Sequence, residues 1–223
     1  MKITGYLLDI DGTLLDSNEA HTRAWQRTLA AHGITKEFDE IDYDFAAPDV
    51  DVVPGLFGID DTGTVAGIAW EKNEFFIEEI ANIPLFPGVP DVLASIRDNG
   101  GKICFVSSNF DRVIQRMFEA YGWDALGAEF VGLDNVARAK PDPEMVVRAM
   151  HRLDLYPAAS IMIGDSIADF QAGLAAGTWT AAVCTGGTPR TAFEQVKPDL
   201  ILDTIAEILP LLPLVFDTSD HSD

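Results

Sequence analysis

Short apolar runs alternate with stretches whose apolar residues recur every three to four positions. That alternation predicts an α/β fold, built from crossover units on a doubly wound parallel sheet. Five strands are expected, at 5–10, 102–107, 129–132, 160–164 and 180–184, and their near-continuous hydrophobicity suits a sheet covered on both faces. Between them, Val89, Val92, Leu93 and Ile96 trace a helical stripe that Gly100-Gly101 ends. Val113, Ile114, Met117, Phe118 and Tyr121 trace another, ending at Gly122. Asp142 before Pro143 predicts an N-cap with proline at the first helical position, for a helix that turns Val146, Ala149, Met150 and Leu153 inward. A further helix is expected from about Asp165 to Gly177, and a terminal one over 205–216.

The stretch 16–83 breaks this alternation. Asp16 and Glu19 read as a capping box, followed by a helix with Trp25 and Leu29 as core candidates, and a second helical pattern runs from about Val65 to Ile80. Its middle, 44–67, is rich in Asp, Gly and Pro, which predicts loops there. Gly63 and Gly67 do not make a dinucleotide fingerprint, because no strand precedes them. The expected organisation is a core of 1–15 and 84–216, an inserted, mostly helical segment of 16–83, and a frayed acidic tail of 217–223.

Composition narrows the partners. The 223 residues carry 36 Asp and Glu against 15 Lys and Arg, a formal charge of −21, so the overall field repels phosphate backbones and anionic membranes. Nucleic acid and membrane are therefore excluded as expected partners. No apolar run approaches the ~20 residues of a bilayer helix, and the 205–216 run contains Pro210 and Pro213. The first run is short and interrupted by Asp9, unlike a secretory signal. Cys104 and Cys184 each lie in an apolar run, as buried reduced thiols of a cytoplasmic protein do. Asp outnumbers Glu 24 to 12 and only six of the basic residues are Lys, a surface that would bind water and cations in concentrated salt.

The candidate chemistry sits where strands end. Asp9 and Asp11, at spacing two on a strand, would point to one side and enter the crevice where open parallel sheets bind ligands. Two like charges so close call for a hard divalent cation or a shared proton; the plainer reading is a solvated Asp-Gly turn. Asp165 and Asp169 repeat the arrangement after the 160–164 run, on one face if both are helical, although Asp165 alone could be a helix cap. Together the four acids would give an oxygen cage suited to Mg2+. Ser107, Ser108 and Asn109 precede a helix whose N-terminal amides favour an anion, and Lys140 stands before a rigid Pro-Asp-Pro turn that could aim its ammonium into the same crevice.

These four segments in this order resemble the haloacid dehalogenase superfamily, over nearly the whole chain, and its phosphatase branch in particular. The matching residues are Asp-x-Asp-Gly-Thr at Asp9 to Thr13, the hydroxyl at Ser107, Lys140 ahead of Pro-Asp-Pro, and Gly-Asp-Ser-x-x-Asp at Gly164 to Asp169. Asp16-Ser17 with His21, Ala24 and Trp25 is similar to the start of the helical cap found in phosphoglycolate phosphatases and β-phosphoglucomutases. The resemblance implies a Rossmann-like core with 16–83 as its cap. It also implies Asp9 as nucleophile, Asp11 as general acid and then base, and Ser107 and Lys140 holding the transferring oxygens. Mg2+ would be held by the Asp9 carboxylate, the Asp11 carbonyl and Asp165, with Asp169 ordering its waters or Lys140, and Thr13 would orient the loop. An acid at Asp11 points to a phosphatase, because an alkoxide needs a proton to leave whereas a halide does not.

The implied activity is Mg2+-dependent hydrolysis of a small-molecule phosphate ester, phosphoglycolate or a sugar phosphate, by a monomer or homodimer. A phosphomutase using the same intermediate is the near alternative, and a non-catalytic phosphate-binding protein the distant one. Ser108 and Asn109 would be supporting phosphate contacts. His21 would touch substrate or pack beside Trp25. Arg23, Lys36 and Lys72 could meet a substrate's far end, although the usual exposure of such side chains favours a solvent-facing role.

Overall fold

Period-two alternation inside the apolar runs decides how the sheet is covered. Leu7, Cys104, Val106 and Met162 turn to one face, and Tyr6, Leu8, Ile103, Phe105, Ile161 and Ile163 to the other. The protein is described here from a computed structural model, which covers residues 2–45 and 47–215. Six parallel strands form one sheet: β1 (Gly5–Leu8), β2 (Lys102–Val106), β3 (Glu129–Val131), β4 (Ser160–Gly164), β5 (Trp179–Val183) and β6 (Leu200–Leu202). Their order is β3-β2-β1-β4-β5-β6, so the chain reverses its winding between β1 and β4. Leu8 is level with Phe105 on one side and Ile163 on the other, which brings the C-terminal ends of all three strands to one crevice.

The Leu7 face packs on α6 (Glu144–Leu153), through Met145, Val146 and Ala149, and on Ala172 of α7 (Ile167–Ala175). The opposite face packs on α4 (Val89–Asp98) and α5 (Asp111–Tyr121), through Val92, Ile96, Ile114 and Met117. A three-ten turn, Ile205–Leu211, joins that layer in place of the predicted terminal α-helix, and α8 (Arg190–Val196) leads into β6. The expected tail lies outside the described residues. Among the described residues no helix is long and apolar enough to cross a membrane.

Between β1 and α4 come α1 (Asn18–Ala31), α2 (Asp49–Phe57) and α3 (Thr62–Glu79). Their apolar residues, including Trp25, Leu29, Val53, Leu56, Ile68 and Ala69, form a cluster of their own, and burying each of the larger ones is worth about 2 kcal/mol. The far end of α3 is fastened to the sheet layers: Tyr121 Oη donates to the carbonyls of Ile80 and Ile83, at 2.6 and 2.8 Å, and Arg112 pairs with Glu74.

Several local expectations change. Loops were expected over 44–67, but α2 forms there because Val52, Val53 and Leu56 find a common apolar surface, despite Pro54 inside the helix and with Gly58 as its left-handed cap. Ser17, not Asp16, stands at the start of α1, and it makes no capping bond with its side chain. Glu19 pairs with Arg23 instead of closing a box. The cap of α6 is Pro143, one residue later than predicted, while Asp142 accepts from the Glu144 amide. β6 was not predicted, its apolar run being three residues at a sheet edge. Cys104 is buried as expected, whereas Cys184 is only half-buried.

Candidate active site

Strand pairing along β1 stops at Leu8, so Asp9 and Asp11 lie in the turn beyond it and not on the strand itself. The Asp9 amide still donates to the Ile163 carbonyl at 2.9 Å, and both side chains line one pocket above the crevice. Gly12 takes a left-handed conformation (φ +74°) there, and a Cβ at that position would overlap the Asp165 carboxylate. A Cβ at Gly186, after β5, would do the same. Asp165 is thus gripped between two close backbone approaches, and Thr13 donates to its Oδ1 at 3.1 Å.

Lys140 ties the strand ends together. Its Nζ is 2.6 Å from Asp9 Oδ1, 2.6 Å from Asp169 Oδ1 and 3.1 Å from the Val106 carbonyl, and all three residues' polar atoms are buried. The second oxygen of Asp169 accepts from the Ser166 amide and hydroxyl, and the Asp169 amide donates back to Ser166 Oγ. This reciprocal box starts α7, so Ser166 is the cap, Asp165 precedes the helix, and the two acids do not share a helical face as expected.

Asp11 enters a different network. Ser17 Oγ donates to its Oδ1 at 2.6 Å, His21 Nε2 lies 3.2 Å from the same oxygen, and Asn109 Nδ2 donates to Oδ2 at 2.5 Å. Asn109 is therefore more than a supporting group: it bridges Asp11 to Ser107 Oγ, 3.0 Å away. On its other side His21 Nδ1 accepts from Lys72 Nζ at 2.7 Å, which places the ring proton on Nε2, facing Asp11. His21 stacks on Phe76 with centroids 3.8 Å apart, and not against Trp25.

Lys72 is fully buried, against the expectation of a solvent-facing side chain. Its ammonium sits 2.8 and 3.0 Å from the two oxygens of Asp49, and Asn73 Nδ2 also donates to Asp49 at 2.8 Å. Arg23 pairs with Glu19 and Glu79, and neither it nor Lys36 lines the pocket. Ser108 does line it, half-buried. Sequence reasoning missed Asp49 and Phe45, which line the same pocket from the segment expected to be loops, and Tyr43 just before it. Their only signal was two aromatics among acids in a run that shows no helical or strand periodicity.

Burial raises the ionisation of Asp9 well above the usual carboxylate range, even though Lys140 pulls it down. Burial and then the charge of Asp169 push Asp165 up to about 7, against Lys140 and Thr13. Asp11 goes the other way: burial is outweighed by the His21 ring, the hydrogen bonds from His21 and Ser17, and the Lys72 charge. Burial and the nearby Lys72 charge lower His21, against the charges of Asp11 and Asp49. The donor set fits a divalent cation. Carboxylate oxygens of Asp9, Asp165 and Asp169 lie within 4.8 Å of one another, with one ammonium to offset three charges. Among the described residues Asp165 pairs with no cation, and the Asp11 carboxylate is not part of the cluster.

The profile of the haloacid dehalogenase-like hydrolases matches residues 3–177. The chain is similar to the pyrophosphatase PpaX of Oceanobacillus iheyensis, at 27% identity over 212 residues that span 95% of this chain and 98% of that one. It also resembles a haloacid dehalogenase-like hydrolase from Bacteroides fragilis, at 28% identity and a TM-score of 0.84, covering 93% of this chain and 100% of that one. CbbY from Rhodobacter sphaeroides, solved in complex with phosphate, shares the fold with a TM-score of 0.78 at 24% identity, over 92% of this chain and 96% of its own.

Proposed function

The chain belongs to the haloacid dehalogenase-like hydrolases and is a phosphatase of that family, and from this premise we propose that it hydrolyses a small phosphate monoester through an aspartyl-phosphate on Asp9. The observation that carries this reading is the division of labour between the two acids after β1. Asp9 has one oxygen fixed by Lys140, leaving the other to attack phosphorus, while Asp11 lines the same pocket but is held by separate partners.

In the first step a bond forms between Asp9 and phosphorus, and the bond to the leaving oxygen breaks as that oxygen takes a proton from Asp11. In the second, Asp11 takes a proton from water, the water oxygen bonds to phosphorus, and Asp9 is released with inorganic phosphate. Asp11 as it stands here is ionised, the form the second step uses; the proton it gives in the first step is taken up from solvent or from the phosphate monoanion, and the one it gains from water in the second serves the next turnover or returns to solvent. Ser107, buried beside Asn109, would bind a transferring oxygen. Lys140 has its three protons on Asp9, Asp169 and the Val106 carbonyl, so its role in this arrangement is to fix and neutralise the nucleophile. Asp9 and Asp165, with Asp169 behind them, would hold a magnesium ion, which supplies charge neutralisation of the transferring phosphoryl group. Residues 16–83 act as a cap, carrying Tyr43, Phe45 and Asp49 over the phosphate site.

The test is hydrolysis of p-nitrophenyl phosphate by the full chain with and without magnesium, alongside Asp9→Asn and Asp11→Asn. Loss of turnover in Asp9→Asn by about a thousandfold or more is expected, from removal of the nucleophile. Equal rates in all three proteins end the proposal. Prompt release of inorganic phosphate, in place of a retained phosphoryl group, distinguishes the hydrolase from a mutase.

A further inference from the structure

Two ammonium groups serve the candidate pocket, and both are fully engaged. Lys140 donates to Asp9, Asp169 and the Val106 carbonyl. Lys72, behind the wall, contacts both oxygens of Asp49 and His21 Nδ1. An ammonium has three protons, so neither group has one to offer a further anion. Among the described lining residues Lys140 is the only Lys or Arg. Arg23 and Arg27 on α1 face Glu19, Glu79 and Glu78 on the outside of the helices, and Lys36 does not line the pocket.

What the inserted segment does present is neutral or acidic: Asn18, Tyr43, Phe45, Ala47 and Asp49. Asp49 retains acceptor capacity beyond its bonds to Lys72 and Asn73, and its charge is balanced by Lys72. The Tyr43 hydroxyl is buried without a hydrogen bond of ordinary geometry, although Thr22 stands close enough to influence its ionisation. Burial keeps the Tyr43 proton in place, so the side chain adds no charge to the pocket wall.

Resting on the phosphatase reading above, we infer that the substrate is the phosphate monoester of an uncharged, hydroxyl-bearing alcohol, and that a second anionic group on the leaving alcohol is selected against. A carboxylate or second phosphate there would meet Asp49 with no free cation to pair with, and would leave water without compensation. A neutral alcohol would meet acceptor oxygens at Asp49 and the apolar faces of Tyr43 and Phe45 for its carbon skeleton. The chain's own charge of −21 adds to the discrimination by repelling multiply charged esters on approach.

The experiment uses the full chain with magnesium chloride at fixed ionic strength, on pairs of esters that differ only by exchange of a hydroxymethyl group for a carboxylate. 2-Hydroxyethyl phosphate is set against phosphoglycolate, and glycerol 3-phosphate against 3-phosphoglycerate, with p-nitrophenyl phosphate and pyrophosphate alongside. In the better-cleaved pair the neutral member is expected to lead by about tenfold or more in kcat/KM. A smaller lead, or preference for the carboxylate or for pyrophosphate, overturns this inference, while cleavage of p-nitrophenyl phosphate leaves the phosphatase reading standing. Failure to cleave any of the six removes that reading, and this inference with it. Phe45 is 45% exposed, so Phe45→Arg alters the pocket mouth without opening the core. That variant is expected to narrow the neutral-over-anionic ratio by about fivefold. An unchanged ratio overturns the electrostatic origin of the selectivity.

Discussion

Lys72 and Asp49, 23 residues apart, form a buried ion pair in which one ammonium meets both carboxylate oxygens, at 2.8 and 3.0 Å, and its third proton reaches His21. The Lys72 side chain is 0% exposed and the Asp49 side chain 17%. A pair this dry is held by geometry: its mutual attraction offsets a desolvation cost that either partner alone could not meet. Lys72→Met is therefore expected to cost about 3 kcal/mol in urea unfolding, by stranding Asp49. The double variant Lys72→Met/Asp49→Leu is expected to recover most of it, because it removes both charges from the interior. A double variant as unstable as the single one counts against the pair.

The acid cluster gives the metal-free protein a distinctive pH profile. Asp165 ionises near 3.8 when unfolded and near 7 in the folded protein, where burial and Asp169 disfavour its charge. Between those values the native state binds more protons than the unfolded state, so stability falls as pH rises through that window. Asp11 has the opposite sign, but its contribution is lost only below the ordinary carboxylate range, at the acid end. A divalent cation replaces the proton on Asp165. The rise in Tm on adding magnesium is thus expected to be larger at pH 8 than at pH 6, measured by differential scanning fluorimetry. In Asp165→Asn both the slope and the magnesium effect are expected to shrink. A magnesium shift that is the same at both pH values would contradict this account of Asp165.

How far the sequence disclosed this site depends on which physical signal marked each residue. Asp9, Asp165 and Asp169 were legible because apolar strands of fixed direction end beside them, and parallel order carries those ends to one crevice, whereas Lys140 was marked by the rigid Pro-Asp-Pro turn after it. Asp49 and Lys72 were not, because burial of a charge is decided by its partner, and the partner lies on another helix. α2 was hidden for a related reason: its Gly and Pro content argues against a helix locally, and only the surface offered by α1 and α3 overrides that. Asn109 looked secondary beside Ser107, since nothing in the local pattern reveals that its amide reaches Asp11, 98 residues away.

Lys140 offsets two acids at once, and its removal is expected to expose that. In Lys140→Met, Asp9 and Asp169 lose their common partner inside the core, with an expected cost of about 3–5 kcal/mol at neutral pH. The folded ionisation of Asp9, already raised by burial despite Lys140, would rise further. Acid pH neutralises the stranded carboxylates, so the deficit relative to the parent is expected to be smaller at pH 5 than at pH 8. Chemical denaturation of both proteins at the two pH values measures this. A deficit independent of pH would mean that Lys140 acts by packing and not by charge.

The surface makes its own prediction. With 36 acidic against 15 basic side chains, the carboxylates far outnumber the cations that could offset them and repel one another in the compact state. Raising salt from 0.1 to 1 M shortens the screening length from about 10 to about 3 Å, which weakens that repulsion. The opposing loss is small. Exposed pairs such as Arg97–Asp98 and Arg116–Glu119 are each worth roughly 0.5 kcal/mol or less, and salt weakens those too. The buried pairs at Lys72 and Lys140 are shielded from the solvent ions. Tm is therefore expected to rise between dilute buffer and molar potassium chloride, chloride being chosen because sulfate would also strengthen apolar burial. A Tm that stays flat or falls would show that repulsion among the acids is not a significant cost to this fold.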